Sequence, residues 1–119
     1  MAKKILVVDD DPVGGRLTEA RLAAAGYEVF RAMNGEEALH QLPLVRPDLI
    51  VLDIEMPEMN GYTFVMEMKK LEDFKATPVI VLTAHSENRA IFARRGISHY
   101  LVKPVDFDVL FAKMKELSV

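Results

Sequence analysis

The chain has 119 residues, enough for one domain with one core. Half of its residues are hydrophobic and 28% are charged, which excludes a disordered chain. Fifteen Lys and Arg against 18 Asp and Glu leave a formal charge of −3, so direct nucleic-acid binding is not expected. There is no cysteine, which excludes disulfides and thiolate metal sites and fits a cytoplasmic setting. The purely aliphatic runs reach only four residues, far short of the roughly 20 that a membrane span needs. The apolar stretch behind Lys3-Lys4 stops at three aspartates, so it does not read as a signal peptide.

In chain order, a first strand is predicted from Lys3 to Val8, with the continuous apolar character of a strand buried on both faces. Asp11 is a helix cap in front of Pro12, and a helix follows to Ala25, with Gly26 just past its end. Gly14 and Gly15 are expected to loosen its first turn. A short alternating strand fits Tyr27 to Arg31, and Asn34 can cap a helix from Gly35 to Gln41. The third strand runs from Asp48 to Asp53. Asn60-Gly61 opens a helix with Phe64, Val65, Met68 and Leu71 on one face. The fourth strand is Pro78 to Thr83, followed by a helix from Glu87 to Arg95 that Ser86 caps and Gly96 closes. The fifth strand is Ser98 to Val102. After Lys103-Pro104, whose bond is a candidate cis peptide, Asp106 caps a last helix from Phe107 to Leu117. No repeat, low-complexity tract or linker interrupts this order, so residues 1–119 read as a single domain.

Five β-α units in succession predict a parallel sheet with helices on both faces. In such sheets ligands sit at the carboxyl ends of the strands. Those ends carry Asp9-Asp10-Asp11, Asp53 followed by Glu55, Thr83-Ala84 and Lys103. Crowded carboxylates in a cleft repel one another and call for a cation. Oxygen ligands alone favour a hard ion, and Mg²⁺ takes one or two carboxylates together with phosphate oxygens. Lys103 can then serve a phosphoryl oxygen, Thr83 can donate a hydrogen bond, and Asp53 is the natural nucleophile for an acyl phosphate. Each residue alone has an ordinary reading as a cap, a strand-end hydroxyl or a solvated charge; the joint pattern is what points to phosphoryl chemistry.

These blocks resemble the receiver domain of two-component response regulators, and the stand-alone chemotaxis type is close in size. The resemblance rests on Ile5–Asp10, on Asp48–Asp53 with Met56-Pro57 and Asn60-Gly61, on Pro78–Ala84, on Gly96 and on Tyr100–Pro104. It implies a flavodoxin-like (βα)5 three-layer sandwich with strand order 2-1-3-4-5. It also implies a phosphoacceptor at Asp53, served by a sensor histidine kinase or a histidine phosphotransfer protein. Mg²⁺ would be held by Asp10, Asp53 and the backbone carbonyl of Glu55, with Asp9 acting largely through water. Lys103 would contact the phosphoryl group. Thr83 and Tyr100 would form the switch, and Ala84 would keep the approach to Asp53 open. Output would come from the face of the fourth helix, fifth strand and fifth helix, through a downstream protein, a fused output domain or a phosphorylation-dependent homodimer. The domain's enzymology would be limited to its own phosphorylation and dephosphorylation.

Glu55 and His85 stand at positions that vary in the family, and we expect them to set the phosphoryl lifetime. Ile97 and His99 replace smaller residues around the fifth strand and affect the shape of the output face. Phe107 is expected in the core, Phe111 fits the core and the surface equally, and any exposed member of the set Ile91, Phe92, Phe107 and Phe111 would mark a docking surface. Two other classes compete. Asp9 and Asp11 form the Asp-x-Asp of a haloacid-dehalogenase-like phosphohydrolase with Asp9 as nucleophile, although the chain is short for that fold and lacks its later acid pair. A flavin-nucleotide binder would need a phosphate loop where three aspartates stand.

Overall fold

The structure is a computed structural model and describes residues 2–54, 61–84, 94 and 99–119. Five strands form one parallel sheet: β1 (Lys4–Val8), β2 (Glu28–Ala32), β3 (Leu49–Asp53), β4 (Val79–Thr83) and β5 (His99–Val102). Their order in the sheet is β2-β1-β3-β4-β5, as the resemblance implied. Four helices lie among the described residues: α1 (Pro12–Ala24), α2 (Gly35–Val45), α3 (Gly61–Lys69) and a C-terminal helix (Phe107–Glu116). The helix predicted over 87–95 falls outside the described residues apart from Arg94, as do Gly96 and Ile97.

The sheet is apolar on both sides because its central strands are apolar at every position except one end of each. Successive side chains point to opposite faces, so each strand feeds two separate clusters. On one face Leu6, Val8, Ile50, Leu52 and Val81 meet Ala38 and Leu42 of α2 and Phe64, Val65 and Met68 of α3. On the other, Ile5, Val7, Leu49, Val51, Ile80 and Leu82 meet Leu22 of α1 and Leu110 and Met114 of the C-terminal helix. Phe107 and Phe111 are half-buried against this second cluster rather than fully enclosed.

The caps follow the sequence closely. Asp11 accepts a hydrogen bond from the Val13 amide, and Asn34 accepts one from the Glu37 amide. Asp106 accepts from the amides of Asp108 and Val109. Gly26 takes a φ of +99° behind α1, a conformation that glycine adopts without a Cβ penalty. The Lys103-Pro104 bond is cis.

Two expectations need correction. Helix α2 does not stop at Gln41 but continues through Pro43 to Val45. Leu42 and Val45 are buried on that extra turn, and Arg46 closes it in the left-handed region with its N–H donating to the Leu42 carbonyl. Leu71 does not extend the apolar face of α3, because it lies past the helix end and is exposed.

Candidate functional site

The strand register assembles the site. Val8 pairs with Leu52, so Asp9, one residue beyond β1, comes level with Asp53 at the end of β3. Asp53 pairs with Leu82, and Thr83 pairs with Val102, which puts Lys103 just past the adjacent edge. Alternation then sends Asp9, Asp53 and Lys103 toward the face of α1 and the C-terminal helix, while Thr83 and Tyr100 share the opposite parity.

The carboxylates of Asp9, Asp10 and Asp53 converge, with ligand oxygens all within 4.8 Å of one another. Asp9 and Asp53 are buried and Asp10 is half-buried. Lys103 Nζ donates to Asp53 Oδ2 at 3.1 Å, and the lysine side chain keeps 31% of its exposure. The Asp9 carboxylate accepts the Asp11 amide at 2.8 Å. Burial pushes the Asp9 carboxyl up to about 6 from its ordinary 3.8. The Asp11 amide and the Lys103 ammonium pull it down, whereas the Asp53 charge and a hydrogen bond with Asp53 push it further up. Among the described residues, one ammonium leaves the cluster short of positive charge. An all-oxygen, three-carboxylate set of this size fits a hard divalent cation, and Asp9, Asp10 and Asp53 are the residues that could hold it.

Thr83 is fully buried at the end of β4, Ala84 is exposed beside it, and Tyr100 is half-buried against the α2/α3 cluster. Asp11 serves as the α1 cap, although it also borders a cleft of about 230 Å³ that Asp9, Leu17, Lys103, Val105 and Phe107 help to line. Glu55 and His85 lie outside the described residues, as do Ile91 and Phe92. His99 begins β5 and is half-buried.

Comparison with known proteins decides the family. The model of the response regulator receiver domain matches residues 5–115. The chain belongs to this family. The receiver is 42% identical over 117 residues to the probable transcriptional regulator ycf27 of Cyanophora paradoxa, covering 97% of this chain and 48% of that protein. It thus spans about half the length of that relative. Among solved structures, the receiver superposes on the chemotaxis protein CheY4 of Vibrio cholerae with a TM-score of 0.91 at 32% identity, covering 98% of this chain and 99% of that one. It also matches the response regulator TrrA of Thermotoga maritima, solved in complex with Mg²⁺-BeF, with a TM-score of 0.86 at 41% identity and coverage of 97% and 98%. The receiver is therefore a signalling domain of two-component systems and not a conventional enzyme. These matches give no support to the phosphohydrolase alternative. No helix among the described residues is long and apolar enough to cross a membrane.

One neighbour of the site escaped the sequence reading. Arg31, at the end of β2, donates from Nη2 to the backbone carbonyl of Asp9 at 3.0 Å. Its trace in the sequence was the Gly14-Gly15 pair, read there as a loose helix start. Both glycines are inside α1, and Gly15 is buried.

Proposed function

We propose that residues 1–119 form one receiver unit that takes a phosphoryl group on Asp53 from a sensor histidine kinase or a histidine phosphotransfer protein. The observation that carries this reading is the contact of Lys103 with Asp53 inside a buried, metal-sized group of carboxylates. Mg²⁺ would be held by Asp10, Asp53, the Glu55 backbone carbonyl and, through water, Asp9. When bound, the ion would offset the charge repulsion between the site and an incoming phosphoryl group.

The chain's own residues account for the rest. An Asp53 carboxylate oxygen forms the new O–P bond as the N–P bond of the donor phosphohistidine breaks, and the electron pair of that bond returns to the donor imidazole. Lys103 already lies against the Asp53 carboxylate and turns its ammonium to the arriving phosphoryl oxygens. Exposed Ala84 leaves the approach open. Thr83 moves its hydroxyl toward the phosphoryl group, and Tyr100 turns inward with it. That change is read on the face of the predicted fourth helix, β5 and the C-terminal helix by a downstream protein, a fused output domain or a second copy of the chain. Glu55 and His85 set how fast water removes the phosphoryl group. The setting is the cytoplasm, and the domain catalyses only its own phosphorylation and dephosphorylation.

Incubation with a small acyl-phosphate donor and Mg²⁺, followed by intact mass measurement, tests the assignment. Wild type should gain one phosphoryl group and Asp53→Asn none. A gain that survives in Asp53→Asn but is lost in Asp9→Asn would overturn it in favour of Asp9.

A further inference from the structure

A glycine in the first turns of a helix weakens it, so a buried one invites a steric explanation. Gly15 has one. A Cβ built on it would lie 2.5 Å from Arg31 Nη2, 2.7 Å from its Cζ and 3.2 Å from its Nε. The guanidinium occupies the space that any other side chain at position 15 would need. Its Nη2 is spent on the Asp9 carbonyl and on Met33 Sδ. Its Nε is buried and has no acceptor among the described residues. Among the described residues no carboxylate pairs with this arginine, so steric enclosure and its hydrogen bonds place it.

The target of that arginine is specific. The Asp9 carbonyl belongs to the peptide whose N–H is that of Asp10, so fixing it fixes the plane from which Asp10 leaves. The Asp9 amide is pinned as well, donating to the Ala32 carbonyl at 3.0 Å. The backbone of Arg31 is itself tied to α2, because Gln41 Nε2 donates to the Arg31 carbonyl at 2.7 Å. Strand β2 thus grips the acidic loop at both backbone groups of Asp9, and α2 braces the grip.

We propose that Arg31, admitted by the missing side chain of Gly15, is a positioning residue that sets the aim of Asp9 and Asp10 in the acidic cluster. This rests on the reading of that cluster as a cation site. The alternative role for a cation here is electrostatic, and the two roles differ in sign. An arginine acting as a nearby positive charge would oppose Mg²⁺, so its removal would tighten binding. An arginine acting on geometry favours Mg²⁺, so its removal weakens binding.

The experiment compares wild type, Arg31→Met, Gly15→Ala and the double variant. Mg²⁺ affinity is read by isothermal titration, and amide hydrogen exchange of Asp11 is read without metal. The Asp11 N–H bonds to the Asp9 carboxylate, so it reports loop order independently of any ion. Both single variants should bind Mg²⁺ roughly tenfold more weakly, a loss typical of groups that orient metal ligands. Gly15→Ala should do so although it keeps the arginine's charge. Both should exchange the Asp11 amide faster. The double variant should be no worse than Arg31→Met, because the alanine then has no guanidinium to displace. Unchanged or tighter Mg²⁺ binding in Arg31→Met, or an unaltered Asp11 amide, would overturn the positioning role. Failure of wild type to bind Mg²⁺ would instead overturn the cation-site reading, and the amide exchange would still decide whether Arg31 orders the loop.

Discussion

Replacing Asp9 with Asn should make the metal-free protein more stable at neutral pH. Asp9 is 3% exposed, and its carboxyl titrates at about 6 rather than 3.8, chiefly because it is buried. Between those two values the folded state holds a proton that the unfolded chain has released. Stability therefore falls as pH rises through that window, and above about 6 the full cost applies. The difference of roughly two pH units corresponds to about 3 kcal/mol. Asparagine escapes this cost, since its carbonyl can still accept the Asp11 amide and its NH₂ can donate to Asp53. Urea unfolding followed by far-UV circular dichroism, in chelator at about pH 7.5, should show Asp9→Asn more stable by about 2–3 kcal/mol, or roughly 10 °C in Tm. The gap should close as pH is lowered below 4, where wild type is protonated in both states. Mg²⁺ should narrow or close the gap, adding about 2.7 kcal/mol to wild type at 100 times its Kd and less to the variant. An Asp9→Asn protein no more stable at neutral pH, or a gap that does not change with pH, would refute the reasoning.

Lys103→Met removes the ammonium 3.1 Å from Asp53 and should slow phosphorylation by a small donor at least tenfold, read as the rate of mass gain. Gly61→Ala should destabilise by about 2 kcal/mol in urea unfolding, because its Cβ would sit 2.7 Å from the Ile54 backbone. Helix propensity alone would predict a gain of about 1 kcal/mol, so the sign of the change decides. Asp106→Ala strips two hydrogen bonds from the start of the C-terminal helix and should cost about 1 kcal/mol in the same assay.

Much of this could be read from residue order. Continuous apolar runs gave β1, β3 and β4 to within one residue, because a strand buried on both faces shows its length directly as hydrophobicity. Asp11, Asn34 and Asp106 named the helix starts because a cap is a local bond. Asp9, Asp10, Asp53 and Lys103 were legible as a group, since parallel topology puts all strand ends on one edge. What stayed hidden depended on space rather than pattern. The helix expected to end at Gln41 runs on to Val45, and only the burial of Leu42 and Val45 shows why it continues. Gly15 looked like a weakness because the arginine that fills its place lies 16 residues further along, on another element.

The acids at the two ends of β3 bear on folding as well as chemistry. Leu49, Ile50, Val51 and Leu52 are all fully buried, so alternation cannot tell this strand which residue belongs opposite which neighbour. Asp48 and Asp53 bracket them, with Asp48 accepting the Lys4 amide at one end and Asp53 meeting Lys103 at the other. A slip of one residue in either direction would drag a carboxylate into the apolar layer beside Ile5 or Val8, at a cost of several kcal/mol. The residue we assign to phosphoryl transfer is thus also an end stop that lets the central strand settle in only one alignment.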